Sequence, residues 1–158
     1  MATVAINQYH KRQFGGFSPF GNVTSLAYSL KTNATGAALQ SDSAAALADG
    51  DVVDLGPLPE GMRLEDASVF VTTGMTATVT GKLGFVYEDG QDHAAVPQDD
   101  AYFAGALDLA TAGRVRASGA KLVTLPKPAR LVLTIGGADN AKESDLTALV
   151  VGELTGPR

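Results

Sequence analysis

Residues 50–87, GDVVDLGPLPEGMRLEDASVFVTTGMTATVTGKLGFVY, constrain the fold more than any other part of the chain. Val52, Val53 and Leu55 form an apolar run that stops at Gly56-Pro57. The stretch Pro57-Leu58-Pro59-Glu60-Gly61 is a turn: two prolines fix φ and remove donors, and Gly61 can take positive φ. Beyond it Val69 and Val71, then Val79, then Leu83, Phe85 and Tyr87 fall in period-2 stretches, the spacing of strands with one buried face. No helical run of comparable length competes. The segment specifies short β-strands broken by turns and carries no group suited to catalysis.

The same rhythm extends in both directions. Leu26, Tyr28 and Leu30 alternate with Ser25, Ala27 and Ser29, a half-buried strand. Residues 33–50 are small and polar, with a helical turn allowed in the AAALA run. Strands are expected at 62–71, at 77–80 and at 82–87, and Glu88-Asp89-Gly90 is a strong turn signal. Residues 88–112 break the pattern. Pro97 is a stop, Asp99 or Asp100 can cap a helix, and Tyr102, Phe103, Ala106, Leu107 and Leu109 can line one side of it. A short helix or ordered loop is therefore expected near 99–110. Strands return at 114–117, 122–125, 130–135 and 145–153. The fold expected is all-β, an antiparallel β-sandwich or jelly roll of about eight strands. Its core is expected to hold Leu26, Tyr28, Leu30, Val53, Leu64, Val69, Val71, Leu83, Phe85, Leu131, Leu133, Ile135, Leu146, Ala148 and Val150.

Residues 1–22 read differently from residues 23–158. QFGGFSPFGN places Phe14, Phe17 and Phe20 three apart among Gly, Ser and Pro, where helix propensity is poor. An extended N-terminal arm with aromatic anchors is the reading taken; the alternative is that these rings fold back over the edge of the body's own core. Lys11, Arg12 and Lys31 are the charges of the first 31 residues, which contain no acid, whereas the remainder holds nine basic and seventeen acidic side chains. A basic tail on an acidic body suggests that the tail meets something acidic. A body at −8 is repelled by phosphate, so nucleic acid is not an expected partner.

A chain of 158 residues is expected to be one domain that buries about 68–70% of its unfolded surface, enough to dispense with disulfides or a structural metal. Cysteine is absent, which removes thiol chemistry and cysteine-based zinc sites. Neither a signal-peptide core nor an apolar run long enough to span a bilayer is present, so no membrane partner is expected. The chain is expected to begin at or near Met1 and to be made in the cytoplasm.

Catalytic constellations are missing. His10 and His93 are the two histidines, and Ser68, Ser118 and Ser144 lie in no nucleophile elbow. Residues 136–140, GGADN, lack the following Lys of a phosphate loop and read as a hairpin turn. The one cluster with ligand character is Glu88, Asp89, Asp92, Asp99 and Asp100. Calcium takes six to eight oxygens, but the spacing fits no EF-hand, so the cluster reads as a solvated loop. No catalytic residue, metal or cofactor is expected.

GDVVDLGPLPEGMRLEDA followed by GKLGFVYEDG, AAVPQDDAYFAGALDLATAGRVRAS and KLVTLPKPARLVLTI is similar in pattern to the decoration, or capsid cement, proteins of tailed bacteriophages. The resemblance covers roughly residues 22–155. It implies a jelly-roll sandwich bound to the outside of an icosahedral shell, often as a homotrimer where capsomers meet. It implies the major capsid protein as partner, a place on the virion exterior, synthesis in the host cytoplasm, and no active-site residues. Lys11, Arg12, Phe14, Phe17 and Phe20 are then expected to bind the shell or a neighbouring subunit, with residues 1–22 standing off their own domain. The alternative is a carbohydrate- or receptor-binding β-sandwich of a head fibre or tail, against which stand the absence of Trp and an aromatic content of 6%.

Overall fold

The structure, a computed structural model, describes residues 1–6, 23–119 and 121–154. Among the described residues there are ten strands and no helix: β1 (Thr3–Ala5), β2 (Val23–Thr32), β3 (Val52–Leu58), β4 (Met62–Thr73), β5 (Thr80–Tyr87), β6 (Asp99–Asp108), β7 (Gly113–Arg116), β8 (Val123–Thr124), β9 (Ala129–Gly136) and β10 (Ser144–Leu154). They form two five-stranded sheets. One runs β1-β3-β9-β5-β6, the other β2-β10-β4-β7 with β8 beside β4.

The pairing follows one rule. β2 pairs with β10, β3 with β9, β4 with β7 and β5 with β6, as in one long two-stranded ribbon. Wrapping that ribbon brings β10 against β4 and β9 against β5. The product is an eight-stranded jelly roll, to which β1 and β8 add short edge pieces. The strands alternate as half-buried strands should. β10 is the clearest case, with Leu146, Ala148, Val150 and Leu154 turned inward and Leu149 and Val151 outward. All fifteen residues expected in the core are buried and belong to one apolar cluster. Tyr28 adds a polar tie: its hydroxyl donates to the Pro57 carbonyl at 2.6 Å, and burial raises its pKa above the usual phenol value.

Three expectations change. The first concerns residues 99–110, which are strand β6 and not a helix. Phe103, Ala104 and Leu107 are all buried, a spacing that imitates a helical stripe. Its real cause is two register shifts against β5, between Gly81 and Leu83 and between Leu83 and Phe85, which reset the period-2 phase. Gly84 makes the second shift possible, because a Cβ there would stand 2.0 Å from the Asp99 carbonyl oxygen. The second concerns Gly56-Pro57, which does not end its strand. A bulge between Asp54 and Gly56 carries β3 through to Leu58, and Pro57 sits past the end of β1, where no partner strand needs its N–H. The turn falls at 59–61 with Gly61 at φ +75°, as its sequence requires. The third is the Thr-rich strand expected at 77–80, of which β5 takes Thr80 alone.

The N-terminal residues also differ from expectation. Thr3–Ala5 pairs in parallel with Val52, Val53 and Asp54, and Val4 and Ile6 are buried in the core cluster. Asp51 accepts from the Ala2 amide at 2.7 Å and Asp42 from the Ala5 amide at 3.1 Å. The first six residues are thus part of the body. Lys11, Arg12, Phe14, Phe17 and Phe20 lie outside the described residues.

Residues 136–140 are not a hairpin turn, because β9 and β10 lie in different sheets. Their loop crosses between the sheets and places Asn140 in the interior, fully buried. Asn140 Nδ2 donates to Thr32 Oγ1 at 3.1 Å and to the Lys142 carbonyl at 3.0 Å. Its Oδ1 accepts from the Thr76 amide and hydroxyl, and its amide donates to the Leu47 carbonyl. Asn140 therefore ties three loops together at this end of the sandwich through its side chain and its backbone amide.

Phe85→Ala and Leu133→Ala are each expected to cost about 2–5 kcal/mol in urea unfolding followed by far-ultraviolet circular dichroism; a cost below about 0.5 kcal/mol at both contradicts the core assignment. Removing residues 2–6 exposes the β3 edge and gives up the burial of Val4 and Ile6, worth roughly 1.5–3 kcal/mol each. The expected result is a clear drop in melting temperature, and an unchanged one means that β1 does not hold the body.

Candidate assembly surfaces

The described residues include the five carboxylates of the acidic stretch and the hydroxyls of Ser68, Ser118 and Ser144. No group of three or more His, Cys, Asp or Glu among them is arranged to hold a metal ion. The five carboxylates of the acidic stretch point to separate partners. Asp89 takes Lys127 Nζ at 2.9 and 2.8 Å, and Asp92 accepts from the His93 and Gln98 amides. Asp99 accepts from the Ala101 amide, Asp100 meets Thr134 Oγ1 at 3.3 Å, and Glu88 lies 4.0 Å from Arg130. Ser144 Oγ is spent on Thr32, and Ser68 Oγ accepts from Arg114.

The surfaces are better defined than any pocket of reactive groups. The outward face of the β2-β10-β4-β7 sheet carries Ser25, Ala27 and Ser29, then Thr147, Leu149 and Val151, then Ser68 and Phe70. Arg114 lies over the Phe70 ring at 4.9 Å, and Arg116 pairs with Asp66, whose carboxyl that bond holds below its ordinary value. Other ion pairs of this face stand at its two ends, Lys31 with Asp145 and Arg63 with Glu65 and Glu153. The outward face of the other sheet is charged across its middle, with Arg130 on Asp54 at 2.9 Å and Lys82 beside Asp100 at 3.9 Å. Both faces carry ion pairs, and the first adds small residues with Phe70, Leu149 and Val151 half-buried among them.

The end of the sandwich away from Asn140 is open. A cleft of about 420 Å³ lies between residues 96–99 on one side and Gly119, Lys121 and Val123 on the other, floored by Phe85 and Tyr102. A smaller hollow of about 100 Å³ adjoins it, with Glu65 and Leu122 on its walls. Tyr102 packs edge-on against both Phe85 (5.4 Å) and Phe103 (4.9 Å), and Phe85 against Tyr87 (5.7 Å). Tyr102 donates to the Lys121 carbonyl. Leu122 is 63% exposed at the rim. Sequence reasoning assigned Leu122 to a strand at 122–125; the strand is Val123–Thr124, so Leu122 is left outside it. The cleft itself went unread, although four of the chain's ten aromatic residues fall between 85 and 103.

Neither a protein-family model nor a curated protein matches the chain. Solved structures do. A chain of the capsid of Ralstonia phage GP4 superposes with a TM-score of 0.66 at 16% identity, covering 99% of both chains. A chain of the capsid asymmetric unit of cyanophage Pam1 gives 0.60 at 16% identity, covering 94% of this chain and 96% of that one. The chain therefore has the jelly-roll fold of these two capsid components.

Lys127 locks the acidic loop to the body. Besides Asp89 it donates to the Gln91 carbonyl at 2.6 Å and stands 4.5 Å from the centre of the Tyr87 ring. The Lys127 bond holds the Asp89 carboxyl below its ordinary value of 3.8. A carboxyl lowered in the folded state stabilises fully above its unfolded value and loses that effect as pH falls through the folded one. Hydrogen exchange of residues 89–92, corrected for intrinsic rate, is therefore expected to stay constant from pH 8 to pH 5 and to quicken below about pH 4. Lys127→Met should quicken it already at neutral pH. An opening centred between pH 5 and 7 contradicts this assignment.

Proposed function

We propose that this chain is a non-enzymatic structural protein of a bacteriophage particle. It binds the outside of an icosahedral shell as a homotrimer and stabilises contacts between major capsid subunits. The observation that carries the reading is the match of this jelly roll to a chain of the GP4 capsid over 99% of both chains.

Lys11, Arg12, Phe14, Phe17 and Phe20 supply the grip in this reading. Burying three Phe side chains contributes roughly 5–9 kcal/mol, while ordering about ten residues around them costs about 1–2 kcal/mol each. Aromatic anchors alone do not hold such a segment, so backbone pairing with a partner and the two cations beside acidic groups complete it.

The test is binding to purified shells that lack the chain, read by sedimentation and cryo-microscopy. Jelly-roll density in threes on the outer surface is expected. The triple variant Phe14→Ser, Phe17→Ser, Phe20→Ser should bind more than tenfold more weakly, about 1.4 kcal/mol or more, with its melting temperature nearly unchanged. No density on the shell, or saturable binding to a glycan array in its place, overturns the reading.

A further inference from the structure

We infer that the Asp89-Gly90 bond is a site of spontaneous isoaspartate formation, and that Lys127 holds it closed in the folded protein. The sequence contains two Asp-Gly pairs, Asp49-Gly50 and Asp89-Gly90, and no Asn-Gly. Glycine after aspartate lacks the Cβ that would crowd its main-chain nitrogen, so a side-chain carboxyl can approach that nitrogen closely. The reaction needs nothing but water. The Gly90 nitrogen attacks Asp89 Cγ, a C–N bond forms, and the side-chain hydroxyl leaves as water with the amide proton, giving a succinimide ring. Water then adds to the main-chain carbonyl of Asp89, the original peptide C–N bond breaks, and a proton returns to the nitrogen. The chain now runs through Cγ, one methylene longer, and the former main-chain carbonyl is a free carboxylate.

The two pairs are guarded differently. Gly50 donates its amide to the Ile135 carbonyl at 2.9 Å, and the Ile135 amide donates to the Asp51 carbonyl at 2.8 Å. The main chain of the first pair thus continues the β3–β9 ladder, and ring closure there has to break strand pairing. Asp89-Gly90 lies outside the strands, and both residues are exposed. The Gly90 amide makes a turn bond to the Tyr87 carbonyl at 3.0 Å, and beyond its chain neighbours no atom stands within 4 Å of where its Cβ would be. What another part of the fold holds is the carboxylate. Lys127 takes both oxygens, at 2.9 and 2.8 Å, and is itself seated by the Gln91 carbonyl and the Tyr87 ring. An ionised carboxylate has no hydroxyl to lose as water, and a cation in contact favours the ionised form. The clamp also fixes the side chain, together with the bond from the Gln91 amide to Asp89 Oδ1 at 2.9 Å. Ring closure requires the reacting atoms to be brought to about 3–3.5 Å in alignment. Its product would lengthen the turn at Tyr87–Gly90 and detach from Lys127 the loop that leads to residues 96–99, one wall of the cleft.

The test is peptide mapping of the full chain after prolonged storage at neutral pH, with isoaspartate at each Asp-Gly pair read by electron-transfer fragmentation and by isoaspartyl methyltransferase labelling. Lys127→Met is expected to accumulate isoaspartate at residue 89 at least about fivefold faster than the unaltered chain. Asp49 should keep its rate in both and serves as the internal reference. Lys127→Arg restores the cation and should return residue 89 close to the slow rate. In denaturant all of these chains should isomerise at residue 89 at one rate, because the clamp is gone. Equal rates at residue 89 in the folded unaltered chain and in Lys127→Met overturn the inference. So does an equal rise at Asp49, which reports general loosening, or a difference that persists in denaturant. Lys127→Gln repeats the comparison should the methionine variant fail to fold. No shell enters the measurement, so its outcome leaves the assembly reading untouched.

Discussion

β9 and β10 are the strands on which the rest of the molecule depends, because each joins two pairs of the ribbon into one sheet. β10 sits between β2 and β4, and β9 between β3 and β5. Every other strand of the ribbon is fixed through one of these two. The sequence suits them to it: Leu131, Leu133 and Ile135 face the interior from β9, and Leu146, Ala148, Val150 and Leu154 from β10. Both strands come late in the chain, and their partners β2, β3, β4 and β5 precede them by tens of residues. Contacts so distant in sequence hold only when the apolar faces agree across the whole sandwich. Here they do, in one continuous cluster.

The two ends of the sandwich are built on opposite principles. At one end Asn140 meets its hydrogen-bonding needs inside the protein and binds the loops after β2, β4 and β9 to each other. A buried amide satisfied in this way fixes geometry, since losing any partner leaves a desolvated group. At the other end the loops are held by exposed contacts, Lys127 with Asp89 and Tyr102 with the Lys121 carbonyl, and a cleft remains between them. Rigidity at one end leaves the other to present a shape, the usual division of labour between a scaffold and a binding surface.

Most of the fold was legible because its core strands are half-buried, and half-burial writes period 2 into the sequence. The places that misled are those where a second constraint overrode the period. Two register shifts in β6 gave Phe103, Ala104 and Leu107 a helical look. The bulge in β3 let a strand pass through Gly56-Pro57. Residues 136–140 have the composition of a tight turn, and only the crossing between sheets makes Asn140 an interior residue. β1 was invisible for another reason: three residues of parallel pairing carry too little pattern to read, and the Phe-rich stretch beside them drew the whole N-terminus into one arm. The cleft was not legible at all, since Phe85 and Tyr102 meet through the β5–β6 pairing and Gly119, Lys121 and Val123 reach them only through the folded chain.

The distribution of charge bears on how such a molecule assembles. The body carries an excess of acid, yet on the β3-β9-β5 face the charges pair internally, Arg130 with Asp54 and Lys82 with Asp100. The Lys82 pair is exposed and adds little stability, whereas the Arg130 pair is half-buried; together they leave a face that neither attracts nor repels strongly. The acid of the open end is likewise met by cations, Asp89 by Lys127 and Glu65 by Arg63, with Lys121 in the cleft beside Asp99. Local pairing keeps these surfaces near balance while the chain as a whole stays at −5, and a net charge of that sign on every copy opposes association until a specific contact offsets it.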